Sequence, residues 1–363
     1  MTVRIGVIGT GMIGADHIRR ITTVLAGATV TAVTDVDADR AAKVAQRYGV
    51  PTVHASGADV IADPGVDGVI VASWGPTHEQ YVLGSIAARK PVFCEKPLAT
   101  TPEACWRIVQ AETGAGRRLV QVGFMRRYDT GYRALKATAG GGSIGAPLLA
   151  HMAHRNPSVP STVTSEMAIN DSVVHEIDVT RWLLDEEITS VLILSPKRSR
   201  YAAEGLQDPM VVMFRTESGV LVDDELSVNV GYGYDIQAEV VGELGNARLA
   251  GGGDIVLTSE GGRRTAVPAD WRERFAGAYD TEFRFWIDDI AEGREAGGPS
   301  SWDGYAAAVV ADACVTALRS ASPDGGGLDG GGLDGGGLDG GGLDGGGGWT
   351  PVPLRERPDF YRI

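Results

Sequence analysis

Apolar residues open the chain as a short buried-type run, Val3-Arg4-Ile5-Gly6-Val7-Ile8, and the rhythm then turns helical across Gly9-Thr10-Gly11-Met12-Ile13-Gly14. The same switch recurs through the first third. Helical spacing predicts helices over 14–25, 38–48, 78–89 and 102–114, and short apolar runs predict strands at 30–34, 68–72, 91–94 and 119–122. Strands in strict alternation with helices predict a doubly wound α/β domain, its parallel sheet covered on both faces. After Gly123 the pattern changes. Segments at 148–153, 190–194, 210–215, 219–228, 236–241 and 246–249 predict successive strands, with helices over 173–184 and 281–292. They describe an α+β second domain on one large, mostly antiparallel open sheet. A last amphipathic helix is predicted over 302–320, with Asp303 as its N-cap.

A chain of 363 residues suits two domains, because single cores rarely grow past about 250 to 300 residues. The expected divisions are a first domain over 1–122 and a second, substrate-binding and oligomerising, over 123–323. Between 324 and 348 Asp-Gly-Gly-Gly-Leu repeats every five residues. Such a segment maximises chain entropy and cannot build a core, so a linker is expected, followed by a tail over 349–363 that docks back on the body. With 47 acidic and 33 basic side chains and a net charge of −14, nothing favours nucleic acid or an anionic membrane as partner. Cys94, Cys105 and Cys314 lack metal-ligand spacing and read as thiols in a reducing compartment. No targeting segment or long apolar stretch stands out, so a cytoplasmic small-molecule enzyme is expected.

The opening strand and glycines carry the first chemistry. Gly9 suits the tight turn out of the strand, Gly11 lets backbone N–H groups reach a pyrophosphate, and Gly14 lets the helix pack close, with Met12 and Ile13 between them. About 20 residues on, the second strand ends at Asp35, where an acid bonds the ribose 2′-OH and repels a 2′-phosphate. The pattern therefore points to NAD rather than NADP.

A second constellation lies at strand ends and on a helix. Glu95-Lys96-Pro97 follows the strand at 91–94 and puts Lys96 where open α/β sheets bind ligands; by itself this could equally be a surface ion pair. Asp171 and His175, four apart, would share a helix face, the carboxylate orienting the imidazole; a capping aspartate followed by a core histidine gives the same spacing. Metal is not expected, because Glu95, Asp171 and His175 match no recognised ligand spacing.

Together Gly9-x-Gly11-x-x-Gly14, Glu95-Lys96-Pro97 and Asp171-x-x-x-His175 resemble the glucose-fructose oxidoreductase/inositol dehydrogenase/rhizopine catabolism family over nearly the whole chain. The segments at 73–78, 93–101, 120–129, 153–157, 174–178 and 232–236 strengthen the likeness toward its cyclitol-oxidising members. The resemblance implies hydride transfer from a cyclitol carbon to the nicotinamide. It also implies His175 as general base, Asp171 as its partner and Lys96 on the reacting oxygen. Arg126, His154, Asn156 and Tyr234 would contact ring hydroxyls, while Trp74, Glu95 and Lys96 would line the nicotinamide side; from the residues alone Arg126 reads equally as a surface charge, Tyr234 as an ordinary strand aromatic and Trp74 as a buried loop residue. A homotetramer is implied as well. The repeat departs from the family pattern. Rival readings are a dehydrogenase of another cyclitol or of a pyranose sugar, and a non-catalytic NAD-sensing regulator, against which Lys96, Asp171 and His175 together argue.

Overall fold

A computed structural model of the chain describes residues 2–250, 256–259, 261–321 and 348–362. The expected linker residues 324–347 lie outside the described residues. In order, the first elements are β1 (Val3–Ile8), α1 (Met12–Thr23), β2 (Ala28–Thr34), α2 (Ala38–Tyr48), β3 (Thr52–Val53), α3 (Gly57–Ala62), β4 (Gly68–Val71), α4 (His78–Ala87), β5 (Val92–Cys94), α5 (Pro102–Ala115), β6 (Val120–Val122) and α6 (Thr130–Gly140). There follow β7 (Pro147–Arg155), α7 (Ser165–Ala168), α8 (Val174–Leu184), β8 (Ile188–Leu194), β9 (Met210–Thr216), β10 (Leu221–Ser227), β11 (Asp235–Gly242) and β12 (Asn246–Arg248). Last come β13 (Val256–Ser259), β14 (Gly262–Thr265), α9 (Trp271–Arg274), α10 (Ala276–Ala291), α11 (Ser301–Ala321) and β15 (Thr350–Pro351).

The chain divides into two compact units, 1–137 with 271–309 and 355–363, and 138–270 with 310–354. In the first, six parallel strands run β3-β2-β1-β4-β5-β6. Strand order reverses between β1 and β4, so ligand chemistry is expected at their carboxyl ends. β-Branched residues fill this sheet: Val3, Ile5, Val7 and Ile70 are fully buried, and Phe283, Trp286 and Ile287 of α10 join the same core. Local signals set the helix starts. Asp37, Ser56 and Thr101 accept backbone N–H bonds at the N-termini of α2, α3 and α5, and Pro102 takes the first turn of α5.

In the second unit seven strands run β12-β11-β7-β10-β9-β8-β15, antiparallel except for the β7–β10 pair. Period-two alternation turns Ala150, Met152 and His154 of β7 to the buried face, and Thr180 of α8 touches the Met152 sulfur there. The start of α11 differs from expectation. Its N-cap is Ser300, whose hydroxyl accepts the Asp303 N–H at 3.3 Å while the Asp303 carboxylate takes the Ser300 N–H at 2.7 Å. Asp303 therefore closes a reciprocal capping box rather than capping the helix itself. All three cysteines are buried, and burial pushes Cys105 up to about 12 and raises Cys94 and Cys314 as well, which keeps the thiols unreactive.

One buried carboxylate ties four segments of the first unit. Glu112 of α5 is fully buried; Oε1 accepts the N–H groups of Leu119 and Val120 at 2.6 and 2.7 Å, and Oε2 accepts the hydroxyls of Ser301 and Tyr361 at 2.6 and 2.8 Å. Four donors replace the water this carboxylate gave up. Burial, then the Glu112 charge, raises the Tyr361 hydroxyl, so it stays protonated and donates. Tyr361→Phe is expected to lower stability by about 1–3 kcal/mol, since one buried acceptor loses its donor. Glu112→Gln should cost more, because its NH2 would face two donors; differential scanning calorimetry on both variants checks the order.

Candidate active site

The glycine loop at the end of β1 is shaped by steric limits at each glycine. Gly9 has φ +97° and a Cβ there would lie 2.5 Å from the Ala72 carbonyl oxygen; at Gly14 a Cβ would lie 2.0 Å from the Gly9 oxygen. At Gly11, by contrast, a Cβ would meet nothing within 4 Å. Two glycines thus allow chain to touch chain, and the third borders open space. Gly11 caps α1 without a side-chain bond, and the first turn, with Met12 and Ile13, holds no acid. A helix start with no side-chain cap and no acid in its first turn suits a pyrophosphate.

Asp35, just past β2, locks this loop from the side. Oδ2 accepts the Thr10 N–H at 2.7 Å and its hydroxyl at 3.0 Å, and Oδ1 accepts the Asp37 N–H at 2.9 Å. A carboxylate oxygen offers about two lone-pair directions, so Oδ1 keeps capacity for a ribose hydroxyl. Asp37 and Asp39 stand nearby against one Arg40, whose Nη1 is 3.9 Å from Asp35 Oδ1. A 2′-phosphate would meet more repulsion than attraction. The loop, the helix start and the acid fit NAD.

The ends of β4 and β5 supply the neighbouring residues of this unit. Trp74 follows β4 with its ring largely exposed, Lys96 follows β5 half-buried, and Glu95 between strand and lysine is buried. His78 joins the two strand ends: Nδ1 lies 2.8 Å from the Pro97 carbonyl and Nε2 2.9 Å from the Ser73 carbonyl. Arg126 is 1% exposed with its guanidinium 5.6 Å from the Phe275 ring centre, a site for a shielded charge rather than a surface one.

In the second unit the chain gathers residues from three elements. His154 of β7, His175 of α8 and Tyr234 just before β11 are all buried. The His154 ring lies 6.4 Å from that of His175 and 5.8 Å from that of Tyr234, edge to face. Nδ1–H of His154 donates to Glu176 Oε2 at 3.0 Å, which fixes the ring and turns Nε2 the other way. Asn156 leaves β7 with its backbone pinned, N–H to the Ser227 carbonyl and C=O to the Val230 N–H. Asp171 is exposed. It does not sit on an ordinary α-helix: a π-helical turn over Ile169–Val173 precedes α8, so the four-residue spacing to His175 spans a widened turn. His17 lies in no segment that marks it in the sequence, and His78 and Glu176 lie in marked segments without a role; the part a buried polar residue plays is recognised only once its surroundings are known. Among the described residues no group of three His, Cys, Asp or Glu could hold a metal ion, and no helix is long and apolar enough to cross a membrane.

Comparison with known proteins decides the family. The family model described as "Oxidoreductase family, NAD-binding Rossmann fold" matches residues 3–124, and the GFO/IDH/MocA C-terminal domain matches 132–248. The chain belongs to the GFO/IDH/MocA oxidoreductase family. Within it, the chain is 58% identical to inositol 2-dehydrogenase 3 of Saccharopolyspora erythraea over 88% of this chain and 94% of that protein. It is 49% identical to an inositol 2-dehydrogenase of Burkholderia ambifaria over the whole of both. The crystal structure of myo-inositol dehydrogenase from Lactobacillus casei, in complex with NAD(H) and myo-inositol, superposes with a TM-score of 0.90 at 39% identity, covering 99% of this chain and 100% of that one. As a GFO/IDH/MocA member the protein is an NAD-dependent oxidoreductase, with the glycine loop of β1 in its NAD-binding domain.

Asp35→Ser is expected to raise the KM for NAD by about tenfold or more, the scale of a lost charge-assisted hydrogen bond. It should also narrow the preference for NAD over NADP. Specificity constants for both nucleotides check this, and an unchanged ratio would remove Asp35 from cofactor selection.

Proposed function

We propose that the protein is an inositol 2-dehydrogenase, oxidising myo-inositol to scyllo-inosose with NAD as acceptor, in the catabolism of inositol. The supporting observation is the convergence of His154, His175 and Tyr234 from three elements, in a chain that matches an inositol-bound relative end to end. A ring with six hydroxyls needs several fixed donors and acceptors, and a buried cluster locked by Glu176 offers such fixity.

In this reading NAD, when bound by Gly9, Gly11, Met12, Ile13, Gly14, Asp35, Trp74, Glu95 and Lys96, supplies the two-electron acceptor for the carbon-bound hydrogen. His175 removes the proton from the hydroxyl under oxidation, as general base. Asp171 orients the imidazole and balances the charge it gains. Lys96 donates to the same oxygen and lowers the cost of the negative charge that builds there. Arg126, His154, Asn156 and Tyr234 hold the other hydroxyls and so select the ring. Each of these residues contributes by placement, because a donor left unpaired against a wrong isomer costs about 1–3 kcal/mol.

The protein acts in the cytoplasm as a homotetramer in this proposal. What supports assembly is one face of the seven-stranded sheet, where half-buried Leu149, Val211, Met213, Leu221 and Val241 lie among charged residues. A second copy of the chain is the occupant with matching mixed character. Light scattering is expected to give four times the chain mass, and a monomer at micromolar concentration would refute it.

The deciding experiment is a substrate panel at saturating NAD, followed at the nicotinamide absorbance band. Myo-inositol should give the highest specificity constant among scyllo-inositol, D-chiro-inositol, glucose and xylose, with weak activity on glucose. His175→Ala should lower kcat by roughly two to four orders of magnitude while NAD binding survives. A pyranose ahead of every inositol would redirect the substrate assignment, and no reduction of NAD by any polyol would favour a regulator.

A further inference from the structure

A buried chain of polar side chains runs behind β5 into Glu95, and its inner members, His17 and Arg20, have no part in the roles proposed above. His17 on α1 is fully buried, and its Nε2 lies 2.6 Å from Glu95 Oε1. On the other side of the ring, Nδ1 lies 3.3 Å from Arg20 Nη1. A guanidinium can only donate. Nδ1 must therefore be the acceptor, the ring proton sits on Nε2, and it is donated to Glu95. Arg20, itself 1% exposed, is fixed by Asp16 at 2.8 Å and Asp280 at 2.7 Å and lies 5.0 Å from the Tyr279 ring centre. Phe283, Tyr279 and Phe93 surround the imidazole with ring centres at 4.5, 5.7 and 5.9 Å. The ring can neither rotate nor exchange its tautomer without breaking one of these contacts.

The far oxygen of Glu95 leads to the reacting end. Oε2 accepts the backbone N–H of Lys96 at 3.3 Å, and Gly123 leaves it room, since a Cβ there would lie 3.2 Å away. The peptide that carries Lys96 is thus tied to a carboxylate whose other oxygen is held by His17. We propose that His17 is a positioning residue for the dehydrogenation: through Glu95 it fixes the strand end from which Lys96 reaches the substrate oxygen. This builds on the role given to Lys96 above. An aromatic residue would serve packing equally well at this position, but it would leave the Glu95 carboxylate short of a donor in a water-poor setting.

The test compares His17→Met, which keeps apolar volume, with His17→Gln, whose amide N–H can reach where Nε2–H does. For the Met variant, kcat with myo-inositol is expected to fall about 10- to 100-fold, the range for a lost hydrogen bond to a charged group. Its NAD dissociation constant by calorimetry should change by a smaller factor than kcat, and the Gln variant should recover most of kcat. Equal kcat in the Met variant and wild type, or a Gln variant no better than Met, would overturn the assignment. Should the Met variant not fold, ring-nitrogen NMR of the wild-type holoenzyme decides: a proton on Nε2 of His17 supports the positioning role, and one on Nδ1 overturns it. A wild-type protein inactive on every cyclitol sinks the substrate reading, while the tautomer and NAD binding still judge His17.

Discussion

A carboxylate withdrawn from water must recover its hydrogen bonds within the protein or raise the energy of the folded state by several kcal/mol. Four acidic residues meet this constraint and hold most of the distinctive geometry. Glu112 gathers four donors, Glu95 spans His17 and the Lys96 amide, Glu176 orients His154, and Asp35 binds the Thr10 amide and hydroxyl. Each joins segments distant in sequence. Apolar packing could collapse these segments together in several ways, but a buried carboxylate accepts only the arrangement that brings its donors within reach.

The two sheets serve chemistry by different geometry. In the parallel sheet every strand delivers its carboxyl end to one edge, so Gly9, Asp35, Trp74 and Lys96 all follow strand ends. The candidate residues there sit in turns. In the larger sheet the candidate residues lie on the buried face, where alternation places His154 in line with Ala150 and Met152. A strand face is more rigid than a loop, and that rigidity suits the recognition of a polyol whose isomers differ only in the direction of a hydroxyl.

The π-helical turn before α8 belongs to the same economy of placement. A widened turn over Ile169–Val173 interrupts the regular ladder between α7 and α8. Such turns weaken a helix locally and persist where a side chain has to be re-aimed. Here the turn carries Asp171 and delivers the chain to His175, so the spacing that reads as an ordinary helical face in the sequence has a different geometry in the fold.

Much of the architecture is local and could be read without the fold. Strand β1, the glycine loop and α1 follow from apolar run, glycine spacing and helical periodicity, and predicted element ends through the first domain fall within about two residues of those observed. Asp35 and Lys96 could be singled out because each sits just past a strand signal, and His175 only by its spacing from Asp171 and by resemblance. Short elements escaped: β3 has two residues and α3 six, too few to show a period, and the β13–β14 hairpin carries no apolar alternation. The parallel β7–β10 pairing could not be read either, since nothing in either strand encodes its direction relative to the other. Tertiary structure alone decided the pairs His17 with Glu95, His154 with Glu176 and Tyr361 with Glu112. A sequence specifies which side chains are polar, but the identity of a hydrogen-bond partner depends on which distant segment packing brings within about 3 Å, and that distance exists only in the folded chain.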